Sequence, residues 1–225
     1  MKRTALLYAG ALLASTAQAD CAEAPATLAA VYRLNESRAG TEDIKSREIV
    51  LWRDGRRAAH EYPDSQVVNL WEATRNDRLR LVRYFDEYAR GIEYDPAEVA
   101  AGDGESAWQL KRQLVPDALL EALEPVSVTG TDCDQSAHYE WQTDGRHYQL
   151  DWLRHRQLPA SYTLTSDKVT VSWRLERLIS DPAEIRQAFA RRDAYQTTDY
   201  ADIGDNESDP FLQKMINMGF VEHDH

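Results

Sequence analysis

Apolar and polar residues alternate along most of Arg47–Pro96, in short runs broken by turn residues. A period of two marks β-strands, whose successive side chains point to opposite faces. Asp54-Gly55 separates two of these runs and is a hairpin signal, because both turn positions favour positive φ. Pro63-Asp64, Asn76-Asp77 and Gly91 supply the remaining breaks, so the stretch predicts a meander of four or five antiparallel strands. Ile49 and Leu51 oppose Val50 and Trp52; Val67, Asn69 and Trp71 oppose Val68 and Leu70; Leu79, Leu81 and Phe85 oppose Val82 and Tyr84. A sheet with one wet face would carry apolar groups on one phase only. Here both phases are apolar, so both faces need cover.

The same reading extends along the chain. Pro25–Ala30 reads as one helical turn, Val31–Asn35 as a first strand and Glu36–Ser46 as a polar loop. After a loop from Ala97, Ser106 is a candidate N-cap for a short helix carrying Trp108, Leu110 and Leu114. Pro116 interrupts that helix, and Asp117 is placed to cap a second turn with Leu119, Leu120 and Leu123. Strand-like Val126–Thr131 is followed by hairpins around Thr143-Asp144-Gly145 and around Ser166-Asp167. Val169, Val171, Trp173 and Leu175 form the cleanest one-sided strand. Asp181-Pro182 opens a helix with an Ile185/Phe189 stripe, Asp193–Asp209 is acidic and loop-like, and Phe211–Met218 predicts a last helix stopped at Gly219. The fold class expected from these elements is α+β: an antiparallel sheet with short helices. The expected division is 1–19 leader, 20–192 antiparallel sheet domain and 193–225 acidic C-terminal segment.

Composition alters this picture at the ends. Lys2 and Arg3, an apolar run from Thr4 to Leu13 and Ala17-Gln18-Ala19 form a secretory signal pattern, with cleavage expected before Asp20. That predicts a soluble periplasmic protein; lipidation at Cys21 is disfavoured because Asp20, not a small residue, precedes it. Cys21 and Cys133 are the only cysteines, and an oxidising compartment favours a bridge between them. Closing so long a loop would contribute roughly 4 to 5 kcal/mol by the chain-entropy model. The formal charge of -12 becomes -14 once Lys2 and Arg3 leave, which argues against nucleic acid and anionic lipid as partners.

The order of these elements, with Tyr94-Asp95-Pro96 closing the meander and Leu158-Pro159-Ala160-Ser161-Tyr162-Thr163-Leu164 leading into Val169–Leu175, resembles the LolA/LolB-like outer-membrane lipoprotein carrier superfamily. The resemblance covers roughly residues 31–178. It implies that residues 20–192 form a curved antiparallel sheet, or half-barrel, with short helices packed on its concave side as a plug, and it implies carriage of a lipid or a lipidated protein. The chain departs from the family in its acidic C-terminal segment, its lower density of apolar residues and the lack of a Gly-Thr-Leu strand.

Catalytic patterns are missing from the sequence. No G-x-S-x-G elbow is present, His60-Glu61 lacks the second histidine of a zinc protease, and no C-x-x-C accompanies Cys133. The protein is expected not to be an enzyme and to need no cofactor. His138 and His147 read as surface polar residues on hairpin arms. Asp199–Asp209 fails the EF-hand spacing, which leaves a non-EF calcium site, a solvated loop or a docking surface for a protein partner through Asp202, Asp205, Glu207 and Asp209. His223 and His225 are candidate metal ligands at the C-terminus. Trp52, Trp71, Phe85, Trp141, Trp152 and Trp173 are the candidate apolar-ligand residues, with ordinary core packing as the competing role. The function expected is an exported binding or carrier protein for an apolar ligand; the alternative is a periplasmic structural or interaction protein that docks a partner through its acidic C-terminal segment.

Overall fold

The computed structural model describes residues 24–75, 78–98, 104–206 and 208–218. The expected leader, Cys21, Asn76 and Asp77 of the expected strand break, Glu207, Gly219, His223 and His225 lie outside those residues. β1 (Thr27–Arg38), β2 (Ile44–Asp54), β3 (Arg57–Tyr62), β4 (Val67–Ala73), β5 (Leu79–Phe85) and β6 (Arg90–Tyr94) come first. Helices α1 (Gly104–Gln113) and α2 (Asp117–Ala122) follow, then β7 (Ser127–Thr129), β8 (Ser136–Thr143), β9 (Arg146–Leu153), β10 (Leu158–Thr165) and β11 (Val169–Ile179). The chain continues through α3 (Pro182–Asp193), β12 (Gln196–Asp199), a 3-10 helix (Tyr200–Asn206) and α4 (Pro210–Asn217).

All strands join one unclosed curved sheet of 12 strands in the order β12-β6-β5-β4-β3-β2-β1-β11-β10-β9-β8-β7. Neighbours are antiparallel except β12, which runs parallel to β6. The two Asp-Gly turns form as expected, with Gly55 at φ 61°, and Asp144 and Gly145 at 49° and 70°.

Several local expectations fail for identifiable reasons. Pro25–Ala30 does not make a helical turn, because β1 begins at Thr27 and pairs with β2 from its first residue. Glu36–Ser46 is mostly strand: the register runs out to Ser37↔Ile44, and polar side chains are tolerated there because this tip is solvated. Ser106 lies inside α1 rather than capping it. Asp117 does not cap α2 with its side chain; its carboxylate accepts from the Gln113 amide. The acidic stretch after Asp193 is not plain loop, since Gln196–Asp199 adds a parallel strand. Gly91 permits this pairing: a Cβ there would sit 2.9 Å from Tyr84 Cδ1 and 3.0 Å from Thr197 Cγ2.

Strand alternation gives the sheet an inner face, covered by α1, α2 and α4, and an outer face. On the inner face Trp71, Leu79, Leu81, Phe85, Ile92 and Tyr94 pack against Ile203 and against Phe211, Leu212 and Met215 of α4. Asp209 caps that helix by accepting from the Phe211 amide at 2.8 Å. On the outer face Val50, Trp52, Val68, Leu70, Val82 and Tyr84 pack against Ile185 and Phe189 of α3. Arg192, 2% exposed, fixes this helix through Asp86 at 2.7 Å and Glu61 at 3.0 Å. Burying each large apolar side chain contributes roughly 1.5–3 kcal/mol, so these two clusters dominate the core.

Candidate functional site: an apolar pocket on the inner face

Beyond α1 the inner face changes character. The strands from β8 to β11 carry Tyr139, Trp141, Tyr148, Leu150, Trp152, Tyr162 and Trp173 in the inward phase, and among the described residues only α2 and the segment before it lie over them. α2 has six residues and none is fully buried. Its Leu119 and Leu120, and Leu123 after it, are partly buried against the sheet.

The cover is set by a distorted helix end. Leu114 follows α1 with φ 67°, a left-handed conformation that costs free energy without a glycine. Pro116 then prevents α1 from resuming. The buried Gln113 side chain donates to the Val115 carbonyl at 2.9 Å and to Asp117, so the irregular segment is held by hydrogen bonds. Leu114, Val115, Pro116 and Leu119 thereby form one wall of a pocket of about 250 Å³; Trp141, Leu150, Pro159, Tyr162 and Trp173 form the other. Its volume is about eight times that of a liquid water molecule. Among the described residues no charged side chain lines it. Trp141 stacks on Tyr148 with centroids 4.8 Å apart and planes at 2°, and Trp173 leans on Tyr32 at 6.3 Å, so the aromatic wall is braced from behind.

Polar groups fix the region around Pro159. The Tyr32 hydroxyl donates to the Pro159 carbonyl at 3.0 Å, and burial pushes that hydroxyl's pKa up. Arg53, 1% exposed, donates to the carbonyls of Arg156 at 2.7 Å and Gln157 at 3.4 Å. Burial, reinforced by repulsion from Arg112, pushes the Arg53 guanidinium down to about 9. Arg112 donates to Gln157 Oε1 at 2.6 Å, holding a turn residue whose φ is 49°. Two arginines thus clamp the β9–β10 turn from β2 and α1.

The expected ligand residues divide among different environments. Trp141 and Trp173 line the pocket, and Trp152 is buried in the cluster with Val115, Tyr139 and Leu150. Trp71 lies on the inner face beneath α1, with His60 in edge contact at 4.6 Å and Lys111 over its ring at 4.7 Å. Phe85 packs edge-on to Phe211 of α4 at 5.4 Å. Trp52 is on the outer face, one residue out of phase with Leu51, and donates to Glu61 at 2.7 Å. The structure therefore gathers Trp141 and Trp173 at one pocket and leaves the other four in packing roles. Sequence reasoning missed Pro159, Leu150 and Tyr162 as walls; the inward phase of the last hairpins was their only signal.

The other candidate residues are placed as follows. Asp202 is exposed, and Asp205 lies in the 3-10 helix. Asp209 is already bonded to Arg90 at 2.9 Å as well as to the α4 amides, and these bonds hold its carboxyl below the usual range. Cys133 lies in a short turn before β8, with its carbonyl accepting from Arg156. Its expected partner Cys21 and the ligands His223 and His225 lie outside the described residues. Among the described residues, no group of three or more His, Cys, Asp or Glu side chains is placed to hold a metal. No helix among them is long and apolar enough to cross a membrane.

No family model matches the chain, and no curated protein matches it by sequence. Among solved structures it is similar to PNGF-II, with 7% identity, a TM-score of 0.38, 77% of this chain covered and 32% of that protein. It thus spans about a third of PNGF-II's length. LolA superfamily structures are also among its neighbours. A LolA superfamily protein from Nitrosomonas europaea matches at 9% identity and a TM-score of 0.30, over 72% of this chain and 91% of that one. A putative outer membrane lipoprotein-sorting protein domain from Vibrio parahaemolyticus matches at 7% and 0.32, over 73% and 91%. Overlaps at this level carry no argument about activity. The half-barrel description rests on the unclosed sheet itself.

Proposed function

We propose that the protein is an exported, soluble binding or carrier protein that holds an apolar chain, from a lipid or a lipidated protein, between α2 and the β8–β11 strands. The observation that carries this reading is the pocket of about 250 Å³, with no charged lining residue among the described residues. Ligand pockets typically run from about 300 to 1,000 Å³, so the space suits one acyl chain segment better than a bulky ring system. Transfer of apolar surface from water supplies the affinity, and the ligand's polar head stays outside. The pocket's walls offer no nucleophile or acid–base pair, which fits binding better than turnover. Docking through Asp202, Asp205, Glu207 and Asp209 draws less support, because Asp209 is already committed to Arg90 and to α4.

Titration with 1-dodecanol tests the reading. Saturable one-to-one binding is expected, read as a change in tryptophan emission and as a bound mass in native mass spectrometry. Leu119→Trp should fill the pocket and abolish that binding while thermal unfolding stays cooperative. Failure of the wild type to saturate, or unchanged binding by the variant, would overturn the proposal.

A further inference from the structure

The two ends of the sheet are finished differently. At one end β12 covers β6 from Arg90 to Glu93, nearly its whole length. At the other, β7 pairs only with Ser136, Ala137 and His138 of β8. β8 continues to Thr143 in unbroken register with β9, so Tyr139–Thr143 has a strand on one side only among the described residues. The His138 carbonyl accepts from Val126 N at 2.8 Å, which fixes the phase: the backbone groups of His138 point away from β9. By the alternation of an antiparallel strand, the N–H and C=O of Glu140 and Gln142 point the same way, beyond the end of β7.

Edge strands usually carry a lysine, a proline or a bulge that discourages pairing. Tyr139-Glu140-Trp141-Gln142-Thr143 has none of these. Glu140, its one charge, is engaged with His138 at 3.0 Å and with Gln149 at 3.0 Å. Val126 and Val128, 64% and 44% exposed, continue the apolar inner face along the same border. The inward side chains of an added strand would lie beside Trp141 and in line with these valines. The exposed charges on and just beyond the uncovered segment are Glu140 and Asp144 against Arg146, and exposed Glu124 precedes β7. A second copy of this edge would bring like charges together, whereas a basic segment would meet opposite ones.

We infer that the uncovered edge of β8 receives an extended, basic segment of a partner protein as an added strand, with its apolar residues turned to the inner face. Backbone hydrogen bonds to Glu140 and Gln142 supply the pairing, and the acidic border selects the partner. This site uses the backbone of β8 and does not depend on a ligand in the pocket.

The probe is a blocked nonapeptide of alternating valine and lysine, compared with its valine–glutamate counterpart, on the full chain. Amide hydrogen exchange at Glu140 and Gln142 should slow on adding the lysine peptide and not the glutamate one. Gln142→Pro removes an edge donor while sparing the β8–β9 ladder, and should weaken binding by about tenfold. Its thermal midpoint and dodecanol binding should stay close to wild type. Glu140→Lys supplies a second variant, expected to weaken the lysine peptide several-fold by reversing a border charge. Unchanged exchange at saturating lysine peptide, equal binding of both peptides, or protection that appears without peptide and grows with protein concentration would each overturn the inference; the last would indicate self-pairing.

Discussion

The sheet has a filled half and an open half. From β1 to β6 both faces are covered: α1 and α4 lie on the inner side, and α3 lies on the outer. From β8 to β11 the outward phase is polar, with His138, Glu140, Gln149, Asp151 and Thr163, and among the described residues the inward phase is covered by the short α2 and the Leu114–Pro116 segment before it. The difference was already encoded in the strand pattern. Where both phases are apolar the fold supplies two layers of helix; where one phase is apolar it supplies a single partial layer. Stability is thus concentrated in the first half and the pocket lies in the second, as expected when binding surfaces are drawn from the less tightly packed part of a fold.

The sharpest way to break this comparison is to cut matched apolar side chains from each half. Phe189 is 2% exposed and also carries Arg57 over its ring at 4.3 Å. Phe189→Ala should cost about 3–5 kcal/mol in urea unfolding. Leu119, only partly buried under no second layer, should cost about 1 kcal/mol when changed to Ala, and its larger effect should be on ligand binding. Equal losses in the two halves would remove the distinction.

A smaller effect separates the halves by pH. His60 is enclosed by Trp71 and α1, part of its edge reaching solvent, and its Nε2 lies 2.8 Å from the Lys111 carbonyl. Burial pushes its pKa from 6.5 down to about 4. Between those values the unfolded chain binds a proton that the folded chain refuses, so stability falls as pH drops from 6.5 to 4. The loss attributable to this histidine is at most about 3 kcal/mol. His60→Gln keeps a donor for the Lys111 carbonyl and should flatten that acid limb in denaturation midpoints measured across the window. A slope that survives the substitution would place the acid sensitivity elsewhere.

Much of this architecture was legible in the chain. Asp54-Gly55 and Asp144-Gly145 marked real turns, Asp181-Pro182 marked a real helix start, and the two-phase strands announced cover on both faces. The pocket was legible only in part. Trp141 and Trp173 were visible as aromatics in the inward phase, but their meeting depends on β11 pairing with β10 and on Leu114 adopting a left-handed backbone, neither of which has a local signature. Trp52 and Leu51 look equivalent in composition and end on opposite faces because they differ by one residue. β12 was missed because Gln196–Asp199 has no alternation of its own; the edge of β6 and the space beside Gly91 recruit it.

The smallest effect expected comes from the open half and has the opposite sign. His138 stands between two carboxylates, with Glu140 at 3.0 Å from Nε2 and Asp151 at 2.7 Å from Nδ1. Its bonds to Glu140 and then to Asp151 raise its pKa above 6.5. A raised value means the folded chain holds the proton longer, so the contribution is full below pH 6.5 and fades as pH rises through the folded value. His138→Gln should therefore lower the denaturation midpoint slightly at pH 6 and hardly at all at pH 9. The site is close to solvent, which screens it and keeps the difference small. Since Glu140 also carries part of the proposed docking edge, the same variant separates two roles: a charge released from His138 should strengthen binding of the lysine peptide. Peptide binding that falls along with the midpoint would mean that His138 shapes the edge rather than merely neutralising it.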